Sequence, residues 1–179
     1  MADEFPTGPG LDWTLPVSHG LYITGADGSA SLERTLPAET GQPDGEKDFD
    51  AQPFTQPLLQ LSSPAATEAS LLQGNITVKL YAGLYAQGTQ CKLPIFLGGG
   101  NTQFFATVWI GDSLVMDEVE SNIEVLEYDW NQAHEFTIEA PIDALLNSND
   151  TITMDISVSH SCSAGTGWLF WDTYDLASG

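Results

Sequence analysis

Gly167-Trp168-Leu169-Phe170-Trp171-Asp172-Thr173-Tyr174 sets four aromatic side chains and a leucine into eight residues. A buried large ring removes roughly 150–250 Å² from water, so the segment reads as a strand that closes a sheet. Alternation places Leu169 and Trp171 on one face and Trp168 and Phe170 on the other. The first pair belongs to a core. The second needs its own cover: an N-terminal arm around Trp13, a neighbouring subunit or a sugar. Outward rings mark a binding surface, which makes Trp13, Trp168 and Phe170 the candidate interaction surface.

The same period of two runs back along the chain. Asn75-Ile76-Thr77-Val78-Lys79-Leu80 turns Ile76, Val78 and Leu80 inward and Thr77 and Lys79 outward. Phe104 to Val115 reads as a long strand with a hinge at Gly111-Asp112. Ile123, Val125, Phe136 and Ile138 continue the pattern, as do Ile152, Met154, Ile156 and Val158. Gly20 to Thr24 is a short strand that turns at Gly25-Ala26-Asp27-Gly28 and returns over Ser29 to Leu36. Phe54 to Ser62 is a strand that Pro57 is expected to break. Pro37 to Pro53 reads as a surface loop. Pro64 to Ser70 and Pro141 to Leu146 each read as a single helical turn, the second ending at Asn147-Ser148-Asn149-Asp150.

Many short strands separated by turn residues predict an all-β fold. We expect a two-sheet β-sandwich, a single jelly-roll barrel of about eight to nine strands. Residues 20–179 form its one domain, preceded by an extended N-terminal arm over residues 1–19. An immunoglobulin-type sandwich ranks lower, although Cys91 and Cys162 bracket Trp109 and Trp130.

Charge narrows the partners. The 179 residues hold 25 acidic and 4 basic side chains, a net charge of −21. Arg34, Lys47, Lys79 and Lys92 cannot neutralise a run of phosphates, so nucleic acid is disfavoured, as is an anionic membrane surface. No apolar run has the length of a membrane span, so direct insertion is not expected. Acids dispersed along a chain with almost no lysine point to a high-salt setting, where screening removes self-repulsion. Met1-Ala2-Asp3-Glu4-Phe5-Pro6 has neither the basic nor the apolar part of a secretory signal.

Candidate chemistry is sparse. His160-Ser161-Cys162 puts a base beside nucleophiles, but adjacency in sequence supplies neither reach nor an oxyanion site, and it reads as a strand-end loop. Asp117-Glu118, Glu127 with Asp129, and Asp172 with Asp175 are acid pairs expected from composition alone; the last follows the aromatic strand and could hold a cation. Gly98-Gly99-Gly100-Asn101 lacks the pattern of a phosphate cradle. Asn75-Ile76-Thr77 and Asn149-Asp150-Thr151 match the short N-glycosylation acceptor pattern. Cys91 and Cys162 are candidates for one disulfide, within the chain or between subunits, or for free thiols; no metal-ligand spacing surrounds them. No catalytic, cofactor or metal residue is assigned.

In size, acidity, the Met1-Ala2-Asp3 start, the Pro/Gly-rich arm before Trp13 and strands such as Ile76-Thr77-Val78-Lys79-Leu80, the chain resembles a family of viral shell proteins. These are the small single-jelly-roll major capsid proteins of haloarchaeal icosahedral internal-membrane viruses (sphaerolipovirus-like). The resemblance implies a structural, non-enzymatic capsid subunit on the virion surface. Its partners would be copies of itself or a related jelly-roll subunit, with cysteines available to link them. The alternative is a carbohydrate- or surface-binding β-sandwich, extracellular or on the cell surface of a halophile. A second resemblance lies in Trp168-Leu169-Phe170-Trp171-Asp172-Thr173-Tyr174-Asp175-Leu176-Ala177-Ser178. It is similar to the last strand of jelly-roll domains appended to haloarchaeal secreted hydrolases, which tend to have His-Pro where Leu176-Ala177 stands here.

Overall fold

The computed structural model describes residues 21–25, 30–33, 45–84, 101–126, 133–161 and 166–171. Its strands are β1 (Tyr22–Thr24), β2 (Ser31–Glu33), β3 (Gly45–Phe49), β4 (Gln52–Ser62), β5 (Ser70–Leu84) and β6 (Asn101–Ile110). They continue as β7 (Ser113–Glu120), β8 (Glu124–Val125), β9 (His134–Leu146), β10 (Ile152–His160) and β11 (Gly167–Trp171). No helix occurs among the described residues.

Sheet I has the order β4-β10-β6-β7, with β8 also beside β6; sheet II has the order β3-β11-β5-β9; β1 and β2 pair separately. Every ladder is antiparallel. The pairs nest: β6 with β7, β5 with β9, β4 with β10, β3 with β11. Successive nested pairs alternate between the two sheets, which is the eight-stranded jelly roll. The all-β sandwich expected from alternation is therefore the observed fold.

The two sheets meet through their inward rows. Sheet II contributes Val78, Leu80, Ala82, Leu84, Phe136, Ile138, Leu169 and Trp171, and sheet I contributes Phe104, Ala106, Val108, Met154, Ile156 and Val158. Phe49 of sheet II meets Phe104 of sheet I edge-on at 5.7 Å, and Phe104 meets Phe136 of sheet II at 4.8 Å and 69°. Each fully buried side chain of this size contributes about 1.5–3 kcal/mol from removal of apolar surface.

Strand β11 is held by a reciprocal fit with β3. Trp171 lies opposite Gly45, and Phe49 lies opposite Gly167. A Cβ on Gly45 would fall within the Trp171 indole, and one on Gly167 would fall within the Phe49 ring. Each glycine is the space that a ring on the other strand fills. Trp171 is fully buried, and its Nε1–H donates to the Gly25 carbonyl at 2.7 Å, tying β11 to the end of β1.

Four expectations are corrected. The surface loop assigned to Pro37–Pro53 contains β3 and the start of β4. Its inward positions Gly45, Lys47 and Phe49 include only one large apolar residue, which hid the strand. The helical turn assigned to Pro141–Leu146 is the second half of β9, where Ile142, Ala144 and Leu146 face inward along the β5 ladder. The turn assigned to Pro64–Ser70 is irregular chain, with Ala66 exchanging backbone hydrogen bonds with Asn149 and Asp150. Pro57 does not break β4: the strand is at a sheet edge, and the register shifts there, with Ile156 opposite Leu59 and Ser157 opposite Pro57.

The hinge expected at Gly111-Asp112 is a tight hairpin between β6 and β7, closed by the Ile110–Ser113 pair. Gly111 has φ +56°, and a Cβ there would approach the Asp150 carboxyl carbon to 2.9 Å. Both the backbone angle and the neighbour require glycine.

Candidate functional site

The two outward faces differ. On sheet II, Trp168 and Phe170 stand on β11 beside Gly83 and Tyr81 of β5. Trp168 is half-buried and Phe170 is only 8 % exposed. Phe170 is thus covered within the chain, whose own arm was one of the three expected covers beside a neighbouring subunit and a sugar. Trp13, the third residue of that expected surface, lies outside the described residues, as do Cys91, Cys162, Asp172, Asp175, Glu127 and Asp129.

Beside these rings runs a closed polar network. The Tyr81 hydroxyl donates to Glu135 Oε2 at 2.9 Å, and Lys79 Nζ and Thr137 Oγ1 each donate to Oε1 at 3.3 Å. The hydrogen bond from Tyr81, with those from Lys79 and Thr137, holds the Glu135 carboxyl below its ordinary value. Burial, and then Glu135, push the Tyr81 hydroxyl above its ordinary value. Asn122 caps the adjoining edge, donating to the Glu135 carbonyl at 3.1 Å and accepting from Thr137 N–H at 2.8 Å.

The outward face of sheet I has a different make-up, with Gln103 Nε2 donating to Glu120 at 3.2 Å and to the Ser121 carbonyl at 3.1 Å. Its central strands present Gln103, Phe105, Thr107 and Trp109 on β6 and Thr153, Asp155, Ser157 and Ser159 on β10, all half-buried. Register places Asp155 between Gln60 of β4 and Thr107 of β6, Trp109 beside Thr153 and Leu114, and Phe105 beside Ser157 and Glu120. A carboxylate row is thus bracketed by a tryptophan row and a phenylalanine row. Asp155 Oδ1 is covered and accepts no hydrogen bond from the described residues. A covered acceptor without a donor costs about 1–3 kcal/mol, so this oxygen is a standing deficit on the face.

Strand β7 bends around the same spot. Glu118 holds φ +44°, unusual for a residue with a Cβ, and its N–H is met by Thr107 Oγ1 at 3.1 Å. The register shifts between Ala106 and Val108, so this is a bulge that turns the edge at Thr107. Asp117 and Glu118, an acid pair in the sequence, are both exposed on it. No cluster of three metal-ligating side chains occurs among the described residues.

His160 is the inward-facing last residue of β10, fully buried. Its Nδ1 shares a 2.7 Å hydrogen bond with the Thr102 hydroxyl, and its ring meets Phe49 edge-on at 5.1 Å. Ser161 Oγ accepts from the Asn101 N–H at 3.0 Å, and the Ser161 N–H donates to the Asn101 carbonyl at 2.9 Å. The histidine serves the core and the serine secures the strand end.

Asp155, Thr107 and Phe105 were not singled out in the sequence. The signal was present: the outward residues of β10 are Thr, Asp, Ser and Ser, small or polar throughout on a central strand, while those of β6 alternate polar and aromatic. Such a pair of rows describes a half-buried outward face that mixes polar and aromatic side chains.

The fold is therefore a jelly-roll sandwich whose two outer faces both carry aromatic and acidic side chains. No protein-family model matches the chain. No curated protein is significantly similar to it in sequence. Among solved structures it is similar to an aminopeptidase from a marine sediment archaeon (Thaumarchaeota archaeon), with a TM-score of 0.57 and 10% identity, over 88% of this chain and 35% of that one. It is also similar to an α-amino acid ester hydrolase, with a TM-score of 0.54 and 11% identity, over 90% of this chain and 35% of that one. At such identities the likeness is one of fold, and this chain spans only about a third of either enzyme.

These neighbours overturn the expectation of a non-enzymatic capsid subunit: the sandwich recurs in hydrolases. Size, acidity and strand alternation carried the capsid resemblance, and none of them distinguishes one jelly roll from another.

Proposed function

We propose that this chain is the β-sandwich unit of a hydrolase acting on an amide or ester of an amino acid. The observation that carries the reading is the match of about nine-tenths of the chain to about a third of each of two such enzymes. Their remaining length would correspond to the part that cleaves the bond. Here His160 is enclosed in the core and Ser161 is bound to Asn101, so neither serves as base or nucleophile. The sandwich's task is to brace and position that other part. The ending similar to hydrolase-appended jelly rolls supports the same reading.

The test is to fractionate the native protein from its source by size and to assay each fraction with an aminoacyl p-nitroanilide and an amino-acid ester. The expected result is co-elution of the sandwich with hydrolytic activity through two successive separations. Elution of the sandwich apart from every such activity would sink the proposal.

A further inference from the structure

The acids of sheet I are answered unevenly: Gln103 Nε2 donates to Glu120 at 3.2 Å, Asn122 Nδ2 donates to Glu124 at 2.9 Å with His134 Nδ1 3.7 Å from its other oxygen, and Asp155 Oδ1 has no donor among the described residues. The strands of sheet I carry Asp117, Glu118, Glu120, Glu124 and Asp155 and contain no Lys or Arg. Of the chain's basic residues, Lys47 and Lys79 stand on sheet II, and Arg34 and Lys92 lie outside the described residues. At the centre of the outward face is Asp155, with its covered, unbonded Oδ1, opposite Thr107. Phe105 and Trp109 stand two positions to either side of Thr107 on the same face, and Leu114, 51% exposed, extends the apolar border beyond Trp109.

We propose that this face docks an arginine-bearing protein surface, the catalytic part of the hydrolase, with a guanidinium entering between Trp109 and Phe105 to donate to Asp155. The inference rests on the hydrolase reading for the partner's identity, and on the face itself for the partner's chemistry. A guanidinium suits it for three physical reasons. It is planar and stacks on an aromatic face, it donates in a fork that fits a carboxylate, and it is more weakly hydrated than an ammonium. Aromatic residues and arginine are also the side chains enriched at the centres of protein interfaces. A side-chain rotamer change on binding, common at interfaces, is enough to uncover Oδ1.

The first test titrates the full chain with acetyl-Leu-Arg-amide and, as the neutral isostere, acetyl-Leu-citrulline-amide, followed by NMR. The arginine peptide is expected to shift the Trp109 indole N–H and the Asp155 carboxylate signals, and the citrulline peptide to leave them in place. Asp155→Asn is expected to weaken the arginine response about tenfold, the loss of one charge-assisted hydrogen bond. Equal responses to both peptides, no response up to the solubility limit, or a response centred on Trp168 would each overturn the proposal.

The second test is hydroxyl-radical footprinting of the fraction that carries hydrolytic activity. Trp109 and Phe105 are expected to be oxidised several-fold less than in the isolated chain, with Trp168 unchanged. Protection on sheet II in an active fraction overturns the docking face and leaves the hydrolase reading intact. Protection of Trp109 by a concentration-dependent dimer assigns the face to a second copy and overturns the arginine partner. The peptide titration does not depend on the hydrolase reading, so the two failures are separable.

Discussion

The outward faces of sheets I and II are built from similar residue types and differ at their central acids. On sheet II, Glu135 takes hydrogen bonds from Tyr81, Lys79 and Thr137, Asp143 takes one from Gln73, and Phe170 is covered. On sheet I, Gln103 donates to Glu120, but Asp155 keeps an oxygen without a donor among the described residues, and Trp109 and Phe105 are half-buried beside it. An acid beside an aromatic ring therefore does not define a site. What matters is whether the local hydrogen-bond and charge requirements close within the chain. Sheet II meets them at Glu135 and Asp143, and sheet I meets them at Glu120 but not, among the described residues, at Asp155.

If sheet II is complete in itself, damage to its packing should cost most. Gly167→Ala and Gly45→Ala each force a ring out of its slot, and each is expected to lower stability by about 3 kcal/mol in urea denaturation. A loss under about 1 kcal/mol would mean that the rings have other places to go. Gly111→Ala is the counterpart on sheet I. The left-handed backbone and the Asp150 carboxyl together predict a loss of about 1–2 kcal/mol, read as a lowered denaturation midpoint with an unchanged slope.

The contrast is sharpest at Asp155. Asp155→Thr removes the unbonded acceptor and places a β-branched residue on a central strand. It is expected to stabilise the isolated protein by about 1 kcal/mol. A destabilised variant would show that sheet I also closes its own requirements.

Glu135→Gln is expected to act in the opposite direction and more weakly. The carboxylate is about half exposed, so solvent screening limits the loss to about 0.5 kcal/mol. Because the native Glu135 value lies below the ordinary one, its contribution is present above the ordinary carboxylate range and is lost as pH falls through the lowered native value. The variant should therefore lie closest to the parent in acid. Tyr81 adds the alkaline limb: its raised value gives stability present below the ordinary phenol range and lost as pH rises through the native value. Thermal melts across the pH range check both signs.

The sequence made the sandwich legible wherever an inward row is uniformly apolar. Ile152 to Val158, Phe104 to Ile110 and Ile76 to Leu80 were read correctly because one face of each is core. It concealed β3, where the inward places of Gly45 and Lys47 meet a tryptophan and a leucine supplied by a strand more than a hundred residues later. It also concealed the end of β9, where Ala144, Leu145 and Leu146 favour helix locally and thirteen cross-strand pairs with β5 override them. The outer aromatics of β11 were legible as a row. Their degree of cover was not, because alternation assigns a face and says nothing of what lies over it. Asp155 was passed over because one acid among 25 acidic residues carries no signal until its neighbours are known.

The nested pairing also sets an order in time. Strands β6 and β7 are joined by two residues and can pair as soon as both exist, whereas β3 waits for β11. Loop closure grows costlier with separation, so the sandwich is expected to assemble from its innermost hairpin outward. The Gly45–Trp171 and Phe49–Gly167 fits then act as the final latch. A slip of one residue would set each ring against a residue that carries a Cβ, so this latch admits one register. Pulse-labelled hydrogen exchange should find amides of β6 and β7 protected before those of β3, and the reverse order would refute this sequence of events. Until β11 emerges, β3 lacks the one neighbour that its sheet gives it among the described residues.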